Sequence, residues 1–191
     1  MADADISTSL DMNGENRARR PGAARLENAI RRNRAYGYII AFLVFLTDQA
    51  TKWVVTFPLD LVNRRQIEIA PVFRLFWTEN RGVSMGALTA NSDAMRWVLV
   101  LITTAIALFV GVWLYREKRR DDAWGLALVL GGALGNIVDR IRFGYVVDFL
   151  DLHFGEWRPF LVFNVADAAI TVGVLLLLLR ALLTRTDRTP K

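Results

Sequence analysis

Three short stretches gather the polar residues that could do chemistry. GNIVDR carries Asn136, Asp139 and Arg140, VVDF adds Asp148, and FNVADAAI supplies Asn164 and Asp167. Asn136 and Arg140 are four residues apart and Asn164 and Asp167 three apart, so each pair would share a helix face. Carboxylates gathered without a histidine or cysteine point to acid–base hydrolysis. One carboxylate takes a proton from water while a protonated partner polarises the carbonyl under attack. Like charges ~3 Å apart cannot both ionise, so such a pair titrates as a unit. Neighbouring Asn and Arg side chains can orient the carboxylates or stabilise a developing oxyanion. Spacing alone does not choose Asp148 over Asp139 or Asp151.

Composition removes other chemistries. The 191 residues include no cysteine and one histidine, His153. Disulfides, thiol nucleophiles, iron–sulfur clusters and cysteine-type zinc sites are excluded. A multi-histidine metal site within one chain is excluded as well, and no metal or other cofactor is called for.

The elements that must position these groups are apolar blocks. Residues 36–57, 97–115, 123–141 and 160–180 each come close to the ~20 residues needed to cross ~30 Å of hydrocarbon. They predict an all-α membrane protein with four transmembrane helices. A soluble helical bundle would need polar helix faces, and the second block has none. QIEIAPVFRLFWTE, within 58–92, alternates partially at period two, with Ile67, Ile69, Phe73, Leu75 and Trp77 on candidate faces. It predicts a small β-cradle beside the membrane. The domain plan is a disordered basic head (1–35), a four-helix domain (36–184) and a short tail (185–191).

Basic residues set the orientation. The head carries seven Arg, the 116–120 link carries Arg116, Lys118, Arg119 and Arg120, and the tail carries Arg180, Arg185, Arg188 and Lys191. Excess Lys and Arg mark the cytoplasmic side, so both termini are expected inside. The head has no aromatic interleaving and reads as a solvated tail, not a nucleic-acid module. The third helix then runs outward and the fourth inward. Asn136, Asp139, Arg140, Asp148, Asn164 and Asp167 would all lie at one depth, near the outer interface. Intramembrane charge is costly and marks function by default. Asp48 and Lys52, at i and i+4, are read as a structural ion pair. A proton or ion transporter, or a structural subunit held by salt bridges, could use the same acids. Confinement to one interface and the lack of an internal repeat weigh against transport.

Four motifs in order then resemble a known family. They are Asp48 with Lys52, then Asn80 with Gly82 and Gly86, then GNIVDR with VVDF, then FNVADAAI, together covering about residues 40–175. This set resembles lipoprotein signal peptidase, also called signal peptidase II. The resemblance implies an aspartic endopeptidase of the bacterial cytoplasmic (inner) membrane, with its active site at the outer, periplasmic interface. It implies removal of the signal peptide from diacylglyceryl-modified prolipoproteins by a cut just before the lipid-modified Cys. It assigns catalysis to Asp148 and Asp167. Asn136, Arg140 and Asn164 match polar residues that surround the dyad or contact substrate. Asp48, Lys52, Asn80, Gly82, Gly86 and Asp139 match supporting positions. The implied partners are the prolipoprotein and membrane lipid, around a monomer.

Smaller expectations complete the set. Asp139 is expected to pair with Arg140, Asp151 to be a solvated loop charge, and Gly144 to serve a turn before the VVDF strand. Pro159 is expected to open the fourth helix.

Overall fold

The computed structural model describes residues 21–82, 93–155 and 157–186. Helix α1 runs Pro21–Thr56, and a single-turn helix α2 follows at Leu61–Arg64. Strands β1 (Gln66–Ala70) and β2 (Phe73–Asn80) form a hairpin. Helices α3 (Asp93–Arg116) and α4 (Arg120–Phe143) come next, then strand β3 (Val146–Leu152) and helix α5 (Val165–Thr186). Four stretches are long and apolar enough to cross a membrane: Glu27–Thr56, Asp93–Arg116, Arg120–Phe143 and Val165–Leu183. Large apolar side chains such as Leu101, Phe109, Leu175 and Leu182 are exposed on the outer helix faces. In a bilayer those faces meet acyl chains at no hydrophobic cost.

Two helix starts differ from expectation. The helical chain begins at Pro21, so the head expected to be disordered through 35 is helical from there on. Its ARLENAIRRNRAY run is rich in Ala, Arg, Leu and Glu, good helix formers whose polarity also suits disorder. The last helix begins at Val165, not near Pro159. The chain just before the helix is kept out of it because Phe163 pairs with β3: Leu150 N donates to Phe163 O at 2.8 Å and Phe163 N to Leu150 O at 3.0 Å.

Helix α4 is the centre of the bundle and packs on α1, α3 and α5. Glycine makes this possible. A methyl group at Gly131 would strike the Ala41 carbonyl, at Gly132 the Ala166 carbonyl, and at Gly135 the Asp48 carboxylate. Backbones thus approach as small-residue membrane interfaces allow. Ala107, Leu114, Leu126, Ala127 and Leu130 fill the space between α1, α3 and α4.

The sheet order is β1-β2-β3, antiparallel throughout. Strands β1 and β2 come from the segment expected to be β-rich, and Pro71 lies in their turn. Strand β3 comes from the α4–α5 link and aligns Asp148 with Thr78 and Asp151 with Arg74. Leu75, Trp77, Val147 and Phe149 bury one cluster with Val55 and Leu61. The sheet therefore caps the bundle at the end where α1 and α4 finish and α5 begins. Gly144 makes the turn into β3 at φ 85°, a left-handed conformation suited to glycine, and its N–H caps the Arg140 carbonyl.

Candidate active site

Three element ends converge on the carboxylates. The last turns of α4 carry Asn136, Asp139 and Arg140, β3 carries Asp148, and the first turn of α5 carries Asp167. Asn164 stands immediately before α5 and caps it. Asp167 N donates to Asn164 Oδ1 at 2.8 Å, and Asn164 N donates back to Asp167 Oδ2 at 3.4 Å. The three-residue spacing is therefore a reciprocal helix cap, which satisfies two otherwise orphaned groups.

Two amides join the two carboxylates. Asn164 Nδ2 donates to Asp148 Oδ1 at 2.6 Å and to Asn136 Oδ1 at 3.2 Å. Asn136 Nδ2 donates to Asp167 Oδ1 at 2.8 Å. Asn80, at the end of β2, also hydrogen-bonds Asp148. Its Oδ1 accepts from Gly82 N at 2.9 Å, which closes the chain beyond the strand. Gly82 itself has φ 86°. Gly86 lies outside the described residues.

Beneath this layer Lys52 is a hub. Its Nζ reaches Asp48 Oδ2 at 2.8 Å, Asp139 Oδ2 at 2.8 Å and Asn136 Oδ1 at 3.3 Å. An ammonium has three protons to donate, and all three find acceptors in a buried setting. Asp48 Oδ1 in turn accepts from Ala166 N at 2.9 Å, inside the first turn of α5. Asp139 Oδ2 accepts from Val147 N at 3.1 Å, at the start of β3. Asp139 thus pairs with Lys52 rather than with Arg140, because its carboxylate points to α1 and β3. Gln49, which the sequence did not single out, donates to Asp139 Oδ1 at 3.0 Å and to the Gly135 carbonyl at 3.3 Å.

Asp151 is fully buried and is not a solvated loop charge. Arg74 Nε meets its Oδ2 at 2.7 Å, and Arg158 approaches at 3.8 Å. The pair locks β2 to β3 next to Asp148. No sequence spacing signals it, since Arg74 and Asp151 are 77 residues apart.

Electrostatics distinguish the site. Burial pushes the Asp148 carboxyl up to about 6, and the Asp167 charge adds to that push. Hydrogen bonds from Asn80 and Asn164 and the charge of Lys52 work the other way. The Arg140 guanidinium lies in the field of Asp167, Asp148 and Asp139. Its buried Nε makes no hydrogen bond. A carboxyl that keeps its proton up to about pH 6, beside a second carboxylate, can run acid–base hydrolysis.

The description "Signal peptidase (SPase) II" belongs to the family that matches residues 40–183. The chain belongs to the signal peptidase II family. Two lipoprotein signal peptidases, from Sphingopyxis alaskensis and Rhizorhabdus wittichii, are each 56% identical to it, over 148 and 158 residues. These matches cover 78% and 83% of this chain and 86% and 92% of the relatives. A bacterial membrane enzyme solved by the in meso method at 2.3 Å shares the fold with a TM-score of 0.69 at 26% identity. That match covers 82% of this chain and 93% of the other. As a signal peptidase II, the protein is a multi-pass membrane peptidase of the aspartic type. The transport alternative finds no support. Among the expected site residues, Asp148, Asp167, Asn136, Asn164 and Asn80 form one hydrogen-bonded group, Arg140 lies in the field of its carboxylates, and Lys52 ties Asn136 to Asp48 and Asp139.

Proposed function

We propose that Asp148 and Asp167 are the catalytic pair that hydrolyses the peptide bond before the lipid-modified Cys of a diacylglyceryl prolipoprotein. The carrying observation is the amide bridge: Asn164 holds Asp148, Asn136 holds Asp167, and Asn164 also holds Asn136. Asp167 accepts a proton from water, whose oxygen attacks the carbonyl carbon. Asp148 gives its proton to the carbonyl oxygen, which limits the charge that builds there. The tetrahedral intermediate then collapses. The C–N bond breaks, the leaving nitrogen takes the proton from Asp167, and the second hydroxyl proton returns to Asp148. Arg140 is placed to steady charge on the oxygen during attack.

Substrate geometry supports this assignment. An apolar groove of about 330 Å³, lined by Leu152, Phe160, Leu161, Phe163 and Val172, opens beside Asp167. Such a groove suits the acyl chains or apolar residues next to the scissile bond. The basic head, 116–120 link and tail support cytoplasmic termini and, with them, the reading of a site at the outer face of the inner membrane. One chain supplies every residue of the pair and its bridge, so a monomer suffices. Cleavage of a diacylglyceryl prolipoprotein, lost in Asp148→Asn and in Asp167→Asn, tests the proposal.

A further inference from the structure

The end of the bundle away from the carboxylates holds a polar cleft. It lies between α1 and α4, encloses about 490 Å³, and is lined by Arg32, Asn33, Tyr36, Ile40, Arg120 and Trp124, with Ala29 at its edge. Tyr36 precedes Lys52 by 16 residues on the same helix. At ~1.5 Å per residue the cleft lies about 24 Å from the buried network, close to one hydrocarbon thickness of ~30 Å. The cleft is therefore at the opposite membrane boundary.

Its charge is unbalanced. Among the described residues, neither Arg32 nor Arg120 has a carboxylate partner. The two acids that follow Arg120 are engaged elsewhere: Arg180 meets Asp121 and Asp122 at 3.1 Å each, on the α5 side of α4. Arg120 lies over the Trp124 ring at 4.9 Å. The α1 extension is fixed in place by Asn33 Nδ2 donating to the Lys118 carbonyl at 3.4 Å and by Arg34 over Tyr115 at 4.3 Å. Arg32, Asn33 and Tyr36 precede the stretch that matches the family, which starts at residue 40.

We infer that this cleft binds the phosphate of an anionic phospholipid in the leaflet opposite the active site. Two guanidinium groups suit a phosphate, which accepts paired N–H donors. Trp124 and Tyr36 suit the headgroup level, and Ile40 continues the cleft towards the acyl region. Basic pockets between transmembrane helices recognise anionic headgroups in this way. The inference does not depend on the assignment of Asp148 and Asp167.

Native mass spectrometry of the full chain tests it, with phosphatidylglycerol, phosphatidylcholine and inorganic phosphate as probes. The expected result is retention of one phosphatidylglycerol but not phosphatidylcholine, with no displacement by inorganic phosphate. The Arg32→Ala/Arg120→Ala variant is expected to weaken retention roughly 30-fold. Arg31→Ala/Lys118→Ala removes the same charge outside the cleft and is expected to retain the lipid. Single Arg32→Gln and Arg120→Gln variants give the same readout if the double variant does not fold. Equal retention of both lipids, unchanged retention in the cleft variants, or equal loss in the control variant would overturn the inference. Displacement by millimolar phosphate would overturn the lipid assignment in favour of a free anion.

Discussion

Asn136 donates its side-chain amide to Asp167 at 2.8 Å while its carbonyl end is held by Lys52 at 3.3 Å and by Asn164 at 3.2 Å. An amide anchored at its oxygen cannot flip, so its N–H must point at the carboxylate. Lys52 therefore acts on Asp167 without touching it.

Removing that anchor should be costly twice over. Lys52→Met leaves Asp48 and Asp139 buried without their cation. Breaking a buried ion pair in this way costs about 3–5 kcal/mol. Thermal unfolding in detergent is expected to show that loss, and cleavage is expected to fall further than stability alone explains. The Lys52→Met/Asp139→Asn variant should recover part of the stability but not the activity.

Asn164 does two jobs that substitution can separate. Asn164→Ser keeps a cap acceptor for Asp167 N but cannot reach Asp148. Asn164→Ala loses both, with a cap cost of about 1 kcal/mol. Melting temperatures should rank parent and Ser above Ala. Both variants should lose roughly 10²-fold in kcat, the scale of a lost positioning or electrostatic donor. Full activity in Asn164→Ser would show that capping is its whole role.

The raised Asp148 carboxyl has a stability cost that depends on pH. Its folded value of about 6 lies above the ordinary 3.8, so ionisation disfavours the folded state. The cost is complete above about pH 6 and disappears as pH falls below the unfolded value. At about 1.4 kcal/mol per pH unit it amounts to about 3 kcal/mol. Asp148→Asn keeps an oxygen to accept from Asn164 and carries no charge. Denaturation at pH 8 should find it more stable than the parent, with the gap closing by pH 4. The parent's kcat/KM should fall as pH rises through about 6, where the shared proton is lost.

Glycine positions on α4 and α3 should differ sharply from one another. A methyl at Gly135 would meet the Asp48 carboxylate, whereas one at Gly111 on α3 finds its nearest atoms 4.0 Å away. Gly135→Ala is expected to cost about 1–3 kcal/mol and to depress cleavage by displacing Asp48. Gly111→Ala should be near neutral in both measurements.

The four membrane helices were legible because a bilayer imposes a length that apolar blocks display openly. The clustering of Asn136, Asp148, Asn164 and Asp167 followed from alternating helix direction alone. What stayed hidden depended on distant partners. Asp139 and Lys52, like Asp151 and Arg74, are joined only by the tertiary fold. The start of α5 was misplaced because Pro159 outweighed the Asn164-to-Asp167 capping pattern, and backbone pairing of Phe163 with β3 decides it. The helical extension of α1 was hidden by its charge, although its residues favour helix.

Cleavage of a purified diacylglyceryl prolipoprotein, followed by gel shift and by mass of the released peptide, tests whether Asp148 and Asp167 work as a pair. Parent, Asp148→Asn and Asp167→Asn proteins would be compared in the same detergent after circular dichroism confirms equal folding, with chelator present. The expected result is a cut immediately before the lipid-modified Cys by the parent, unaffected by chelator, and none by either variant. Turnover retained by either well-folded variant would contradict the pairing of Asp148 with Asp167.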